Sequence, residues 1–86
     1  MKLTFTKEFK KNYKRLPVNL QKKVDKQLGF LEKNFRHPSL RSRKMRGYKG
    51  VFEARVSKGY RMRYQVRGNE ATMLTVGPHD IGLGKK

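Results

Sequence analysis

Arg55, Arg61 and His79 are the residues of this sequence whose types and spacing best fit chemistry. A neutral imidazole titrates close to neutrality, so it can both take and return a proton during one reaction. Guanidinium groups hold a phosphate and stabilise the charge that grows on it in a transition state. Together they suit RNA cleavage in which the substrate's own 2′-hydroxyl is the nucleophile. That chemistry requires neither a metal nor a thiol, and no cofactor is expected. The chain has 0 Cys, so disulfide scaffolds, thiol catalysis and Cys-based zinc sites are excluded. Each residue also has a plainer reading. A lone His is most often a surface or capping residue, and an arginine pair can simply extend into water. His37, directly before Pro38, reads as punctuation at the end of a helix.

A hairpin register brings these groups together. The stretches Phe52-Glu53-Ala54-Arg55-Val56 and Tyr60-Arg61-Met62-Arg63-Tyr64-Gln65-Val66 both alternate polar and apolar residues, as half-buried strands do. Between them, Ser57-Lys58-Gly59 reads as a three-residue loop with Gly where a left-handed backbone is often needed. With Val56 opposite Tyr60, Ala54 faces Met62 and Phe52 faces Tyr64 on the core side. The outer side then pairs Glu53 with Arg63 and Arg55 with Arg61. Two like charges directly opposed cost roughly 0.2–1 kcal/mol unless an anion lies between them. A second break, Arg67-Gly68-Asn69, precedes Thr72-Met73-Leu74-Thr75-Val76. A three-residue loop there sets Val66 opposite Glu70, Met62 opposite Leu74 and Tyr60 opposite Val76. It is preferred because a two-residue loop would turn Leu74 and Val76 outward. In this register Gly77-Pro78 returns His79 to the neighbourhood of Tyr60 and Arg61. Tyr60 can stack on a base, although its alternation fits the core equally. Arg43, Lys44 and Arg46, on the approach to these strands, can line the flank. The run from Arg41 to Arg46 reads as a solvated face or a polyanion contact.

The elements that must position these residues are legible upstream. Lys2-Leu3-Thr4-Phe5-Thr6 alternates as a short strand, and Thr6 can cap a helix with Glu8 in its first turn. Phe9, Tyr13 and Leu16 form one helical stripe, which Pro17 interrupts. Leu20, Val24, Leu28, Leu31 and Phe35 form a second, longer stripe that ends at His37-Pro38. The expected fold is therefore α+β in the order β-α-α-β-β-β. Two antiparallel helices pack on one face of an antiparallel sheet, and residues 1–86 form a single small domain.

Charge says where a partner acts. The 86 residues carry 23 Lys+Arg against 6 Asp+Glu, a formal net charge of +17. Residues 36–67 alone hold 11 basic groups and 1 acidic group, so the positive field centres on the strands just described. Such a surface calls for a polyanion or an acidic partner. A chain of this length buries only roughly 60–65% of its unfolded surface, which leaves a modest core and no deep interdomain cleft. No apolar run approaches a membrane span, and no signal-peptide core follows the N-terminus, so a cytoplasmic protein with no membrane partner is expected.

Taken together, several segments resemble one known group. Lys44-Met45-Arg46-Gly47-Tyr48, Phe52-Glu53-Ala54-Arg55-Val56, Tyr60-Arg61-Met62-Arg63-Tyr64 and Val76-Gly77-Pro78-His79-Asp80 resemble the RelE/ParE superfamily of bacterial toxins. The resemblance implies the toxin of a type II toxin–antitoxin system. RelE-like members cleave messenger RNA in the ribosomal A site and are neutralised by a cognate antitoxin, through which alone operator DNA would be bound. The closing Gly-x-His resembles the YafQ branch, where the matching histidine is catalytic, and this places that role on His79. The family's phosphate-assisting arginine falls on Arg61. Arg55 and Arg43 stand where YafQ-type toxins carry further histidines, which points them to phosphate binding instead. Catalysis is thus expected from His79, Arg61 and Arg55. RNA and ribosome contacts are expected from Arg41, Arg43, Lys44, Arg46, Lys49, Tyr60 and Arg63. Asp80 can orient the His79 ring. ParE-like gyrase inhibitors, and plain RNA-binding domains, share the fold without this chemistry.

Overall fold

Thr6 ends the first strand and starts the first helix. The computed structural model describes residues 1–78. In it, β1 (Lys2–Phe5) runs into α1 (Lys7–Arg15), and the Thr6 hydroxyl accepts a hydrogen bond from the Phe9 amide at 3.0 Å, as a capping side chain should. Leu16 and Pro17 interrupt the helical path, and α2 (Val18–Lys33) follows. The two helices are tied by a Tyr13 hydroxyl that donates to Asp25 Oδ1 at 2.8 Å. α2 closes at Asn34, short of the expected Phe35, because Asn34 adopts an extended backbone. Phe35 instead packs edge-on against Phe52. A single 3₁₀ turn, Pro38–Leu40, comes next, capped by His37, whose Nδ1 accepts from the Ser39 amide at 3.1 Å. The ring of His37 stacks on Phe30, so this residue serves the structure.

The remaining chain builds β2 (Arg43–Lys44), β3 (Val51–Ser57), β4 (Tyr60–Arg67) and β5 (Glu70–Pro78). The fold class is the expected one, with the helices on a sheet, and two details are added. The sheet has five strands in the order β1-β5-β4-β3-β2, the two-residue β2 lying outside β3. It is also mixed, where an antiparallel sheet was expected: β1 pairs parallel to β5, Lys2 opposite Glu70, while the other pairings are antiparallel. Phe9, Val24, Leu31 and Leu40 close on Ala54, Met62, Tyr64, Ala71, Met73 and Val76 to form one core on one sheet face.

Both hairpin turns are two residues long, and each is followed or preceded by a bulge. In the first, Ser57 pairs with Tyr60 across Lys58-Gly59, and Val56 is the extra residue between Arg55 and Ser57. The expected three-residue loop is thus a tight turn plus a bulge. Gly59 does not adopt the left-handed backbone foreseen for it. The interior register is nonetheless the expected one, with Ala54 opposite Met62, Glu53 opposite Arg63 and Arg55 opposite Arg61.

In the second hairpin the expected register fails. Arg67 pairs with Glu70 across Gly68-Asn69, so Val66 faces Ala71 and Tyr64 faces Met73. Leu74 is then skipped, and Val76 arrives opposite Met62. A bulge at Leu74 returns Val76 to the core, which removes the objection to the short turn.

A bulge breaks the ladder locally, and here helix residues take up the backbone groups beside it. Thr6 donates from its amide to the Met73 carbonyl and from its hydroxyl to the Leu74 carbonyl, each at 3.1 Å. Asn12 Oδ1 accepts from the Val76 amide at 3.1 Å. At the other bulge, Gln27 Nε2 donates to the Arg55 carbonyl at 2.6 Å and to the Ser39 carbonyl at 3.0 Å.

Candidate anion site on the outer sheet face

The outer face of β3 and β4 carries the charge. Because strand residues alternate, Glu53 and Arg55 share a face with Arg61 and Arg63, away from Ala54, Met62 and Tyr64. Arg43 joins them because β2 sets it opposite Glu53. Arg41 follows the 3₁₀ turn with a backbone φ of 48°, the one non-glycine residue at positive φ among those described. Arg41, Arg43, Arg55 and Arg61 line a single cavity of about 240 Å³ together with Glu53. Four guanidinium groups around one carboxylate leave a strong excess of positive charge in a partly enclosed space, where screening by solvent is reduced.

Two of these side chains are held in place. Arg61 Nη1 donates to the carbonyls of Ser57 at 2.7 Å and Tyr60 at 2.9 Å, so it is anchored to the hairpin turn and not extended into water. Glu53 lies between two arginines, 2.9 Å from Arg63 and 3.7 Å from Arg43. Arg43 has 82% of its side chain exposed and contributes little to stability through this pair, whereas Arg63 has 5% exposed. Arg63 therefore lies behind the cavity as a support for Glu53. Arg63, expected among the RNA contacts, is thus largely buried and paired with Glu53, and it also borders the cavity beside Tyr60.

The other expected site residues are distributed over the surface. Lys44 ends β2, Arg46 and Lys49 lie in the loop that leads to β3, and the three line a separate shallow concavity around Gly47 and Tyr48. Tyr60 borders a third cavity, beside Asn12, Arg15 and Pro78. Its ring is half-buried against the core, as the plainer reading had it. Pro78 pairs with Tyr60 and Gly77 with Arg61. His79 and Asp80 lie outside the described residues.

Behind Tyr60 and Arg61 the sheet is anchored by Tyr64, which is stacked near Phe52 and shares a 2.7 Å hydrogen bond with Ser42 Oγ. Burial raises the Tyr64 pKa above 10.0, only partly opposed by the Ser42 bond. Tyr13 is also raised, chiefly by its hydrogen bond to Asp25.

Sequence reasoning missed Gln27. It is 7% exposed and holds the carbonyl of Arg55 on one side and that of Ser39, two residues before Arg41, on the other. The available signal was a polar residue at helical spacing between Val24 and Leu31, inside an otherwise apolar stripe. The second role of Glu53 was hidden because a two-residue strand such as β2 has no periodicity.

The family model described as the ParE toxin of the type II toxin–antitoxin system parDE matches residues 3–81. No curated protein matches the sequence significantly. Among solved structures, the YoeB/ParE toxin from Agrobacterium tumefaciens superposes with a TM-score of 0.80 at 18% identity, over 92% of this chain and 99% of that one. The intact Escherichia coli RelBE toxin–antitoxin complex gives 0.75 at 24% identity, over 90% and 94% of the two chains. The E. coli DinJ–YafQ complex gives 0.73 at 16%, over 90% and 91%. At these identities the likeness is one of fold.

Proposed function

The chain belongs to the ParE toxin family of type II toxin–antitoxin systems, within the RelE/ParE superfamily, and we propose that it is a ribosome-dependent endoribonuclease that cleaves messenger RNA. The observation that carries this reading is the Arg41–Arg43–Arg55–Arg61 cavity, in which Arg55 and Arg61 are opposed in register. Like charges held face to face are stabilised by an anion between them, and a phosphodiester is the anion this reaction supplies.

In this mechanism the substrate's 2′-oxygen attacks the adjacent phosphorus as the bond to the 5′-oxygen breaks. The products are a 2′,3′-cyclic phosphate and a new 5′-hydroxyl end. Arg55 and Arg61 stabilise the charge on the phosphoryl oxygens, the anchored Arg61 with little reorganisation. His79 takes the 2′-hydroxyl proton and returns a proton to the leaving oxygen. Arg41 and Arg43 hold the flanking backbone, and Lys44, Arg46 and Lys49 bind ribosomal RNA by charge. A cognate antitoxin covers this face and neutralises it when the toxin is silent.

The test is primer extension on a translated reporter mRNA with purified protein, with and without ribosomes. Cuts that require ribosomes and are lost in His79→Ala and Arg61→Ala are expected. Cuts that persist in both variants would overturn the residue assignment. The family match favours one alternative, a gyrase inhibitor of the same fold. Intact mRNA under every condition, with inhibited gyrase supercoiling, would establish that reading instead.

A further inference from the structure

The arginine cavity does not end at the sheet face. Arg41 and Arg55 also border a second, larger groove of about 540 Å³, whose far wall is Lys23 and Lys26 of α2. On the sheet, Arg55 shares the outer face with Arg61, whereas α2 packs on the opposite, core face. The two hollows therefore meet at the edge of β3. That edge is open here because β2 covers only Phe52 and Glu53. The bulge at Val56 lies at the same corner, and Gln27 pins it to α2.

The groove's composition is one-sided. Lys23, Lys26, Arg41 and Arg55 line it, no carboxylate does, and none of the four makes an ion pair with a described residue. Lys23 and Lys26 are exposed and three positions apart, so they project from one flank of the helix beside the buried Val24 and Gln27. Gln27 has its amide group engaged by two carbonyls. The apolar lining is limited to Pro38 and the buried Val56, which offers no anchor pocket of the kind a protein partner needs.

We infer that the Lys23–Lys26–Arg41–Arg55 groove is a second binding surface, which takes the phosphate backbone of single-stranded RNA running on from the arginine cavity. This rests on the phosphodiester reading of that cavity. A duplex stays straight over tens of base pairs and cannot follow a path that turns around a sheet edge. A single strand can, and its affinity comes mainly from backbone charge.

The experiment is fluorescence anisotropy with 2′-O-methylated oligoribonucleotides of three and twelve nucleotides, which bind without being cut. The twelve-mer should bind wild-type protein more tightly than the trimer. The double variant Lys23→Gln/Lys26→Gln should lose about tenfold in twelve-mer affinity at low salt. Its salt dependence should be shallower by about 1.4 in log–log slope, from two lost contacts at 0.7 each. Its trimer affinity should be unchanged. Lys22→Gln/Lys33→Gln removes the same charge from α2 outside the groove and should leave both affinities near wild type.

Equal losses in the two double variants would overturn the groove, as would a twelve-mer no tighter than the trimer. An oligoglutamate peptide that binds more tightly than RNA and loses its affinity in Lys23→Gln/Lys26→Gln would overturn RNA as the occupant. A trimer that fails to bind wild-type protein would instead count against the arginine cavity, while twelve-mer binding still reports on the groove.

Discussion

At the scale of single residues, the site combines stability with strain. Arg41 holds a left-handed backbone that glycine adopts freely and that costs an L side chain about 1–2 kcal/mol. Such strain at the mouth of a charged cavity is expected where binding, and not folding, selects the residue. Arg41→Gly should therefore raise stability to urea, by about 0.5–1 kcal/mol after the glycine's greater unfolded-state entropy is allowed for, while RNA affinity falls. A variant that loses stability would show that the guanidinium also serves the fold. Arg55→Ala and Arg61→Ala should each slow cleavage by about a hundredfold, the typical effect of removing one donor to a developing oxyanion. Arg61→Lys should recover little, since a point charge cannot reproduce a fork held by turn carbonyls. Single-turnover cleavage on programmed ribosomes measures all three.

At the scale of elements, the two bulges are the devices that aim the site. Residue alternation revealed the pairing of Arg55 with Arg61, because inside β3 and β4 one face is apolar and the other charged. It revealed neither turn correctly, since an added residue at Val56 or Leu74 can offset a shorter loop and leave the facing pattern the same. For β5 the pattern was misleading: Leu74 and Val76 look like neighbours on one face, yet Leu74 is the skipped residue. What resolves the ambiguity is long-range and polar, the bonds from Thr6, Asn12 and Gln27 to backbone beside the bulges. Gln27→Leu would leave the Arg55 and Ser39 carbonyls without this donor, at a cost of about 1–3 kcal/mol. It should also weaken RNA binding, because Arg55 and Arg41 lose their common support. Urea unfolding and anisotropy on the same variant test both effects, and a stability loss with unchanged affinity would assign Gln27 to the fold alone.

At the scale of the whole molecule, a net charge of +17 on 86 residues opposes compaction, so an anionic partner should stabilise the folded state as well as bind it. No helix among the described residues is long and apolar enough to cross a membrane. The field was legible from residue counts, while its focusing into a cavity and an adjoining groove depends on where β2 and α2 lie. Stability should also have an alkaline limit. Tyr64 and Tyr13 both hold their protons more tightly when folded than the ordinary 10.0. Their contribution is complete below that value and is lost as pH rises through the folded pKa values, because the unfolded chain releases protons first. The urea midpoint should decline above about pH 10, and Tyr64→Phe should flatten the decline while lowering the plateau by the lost Ser42 bond.

The parallel pairing of β1 with β5 also sets a clock. Lys2 has no strand to join until Glu70 has been made, and β5 is the only neighbour β1 has among the described residues. The stretch holding the four arginines, from Arg41 to Arg61, closes through short-range hairpin contacts that form quickly. The sheet that supports it waits on a closure spanning nearly the whole chain. During its own synthesis the protein thus carries its charged stretch first and the frame that shapes it last. Until β5 has been made, the charged stretch has no complete sheet behind it.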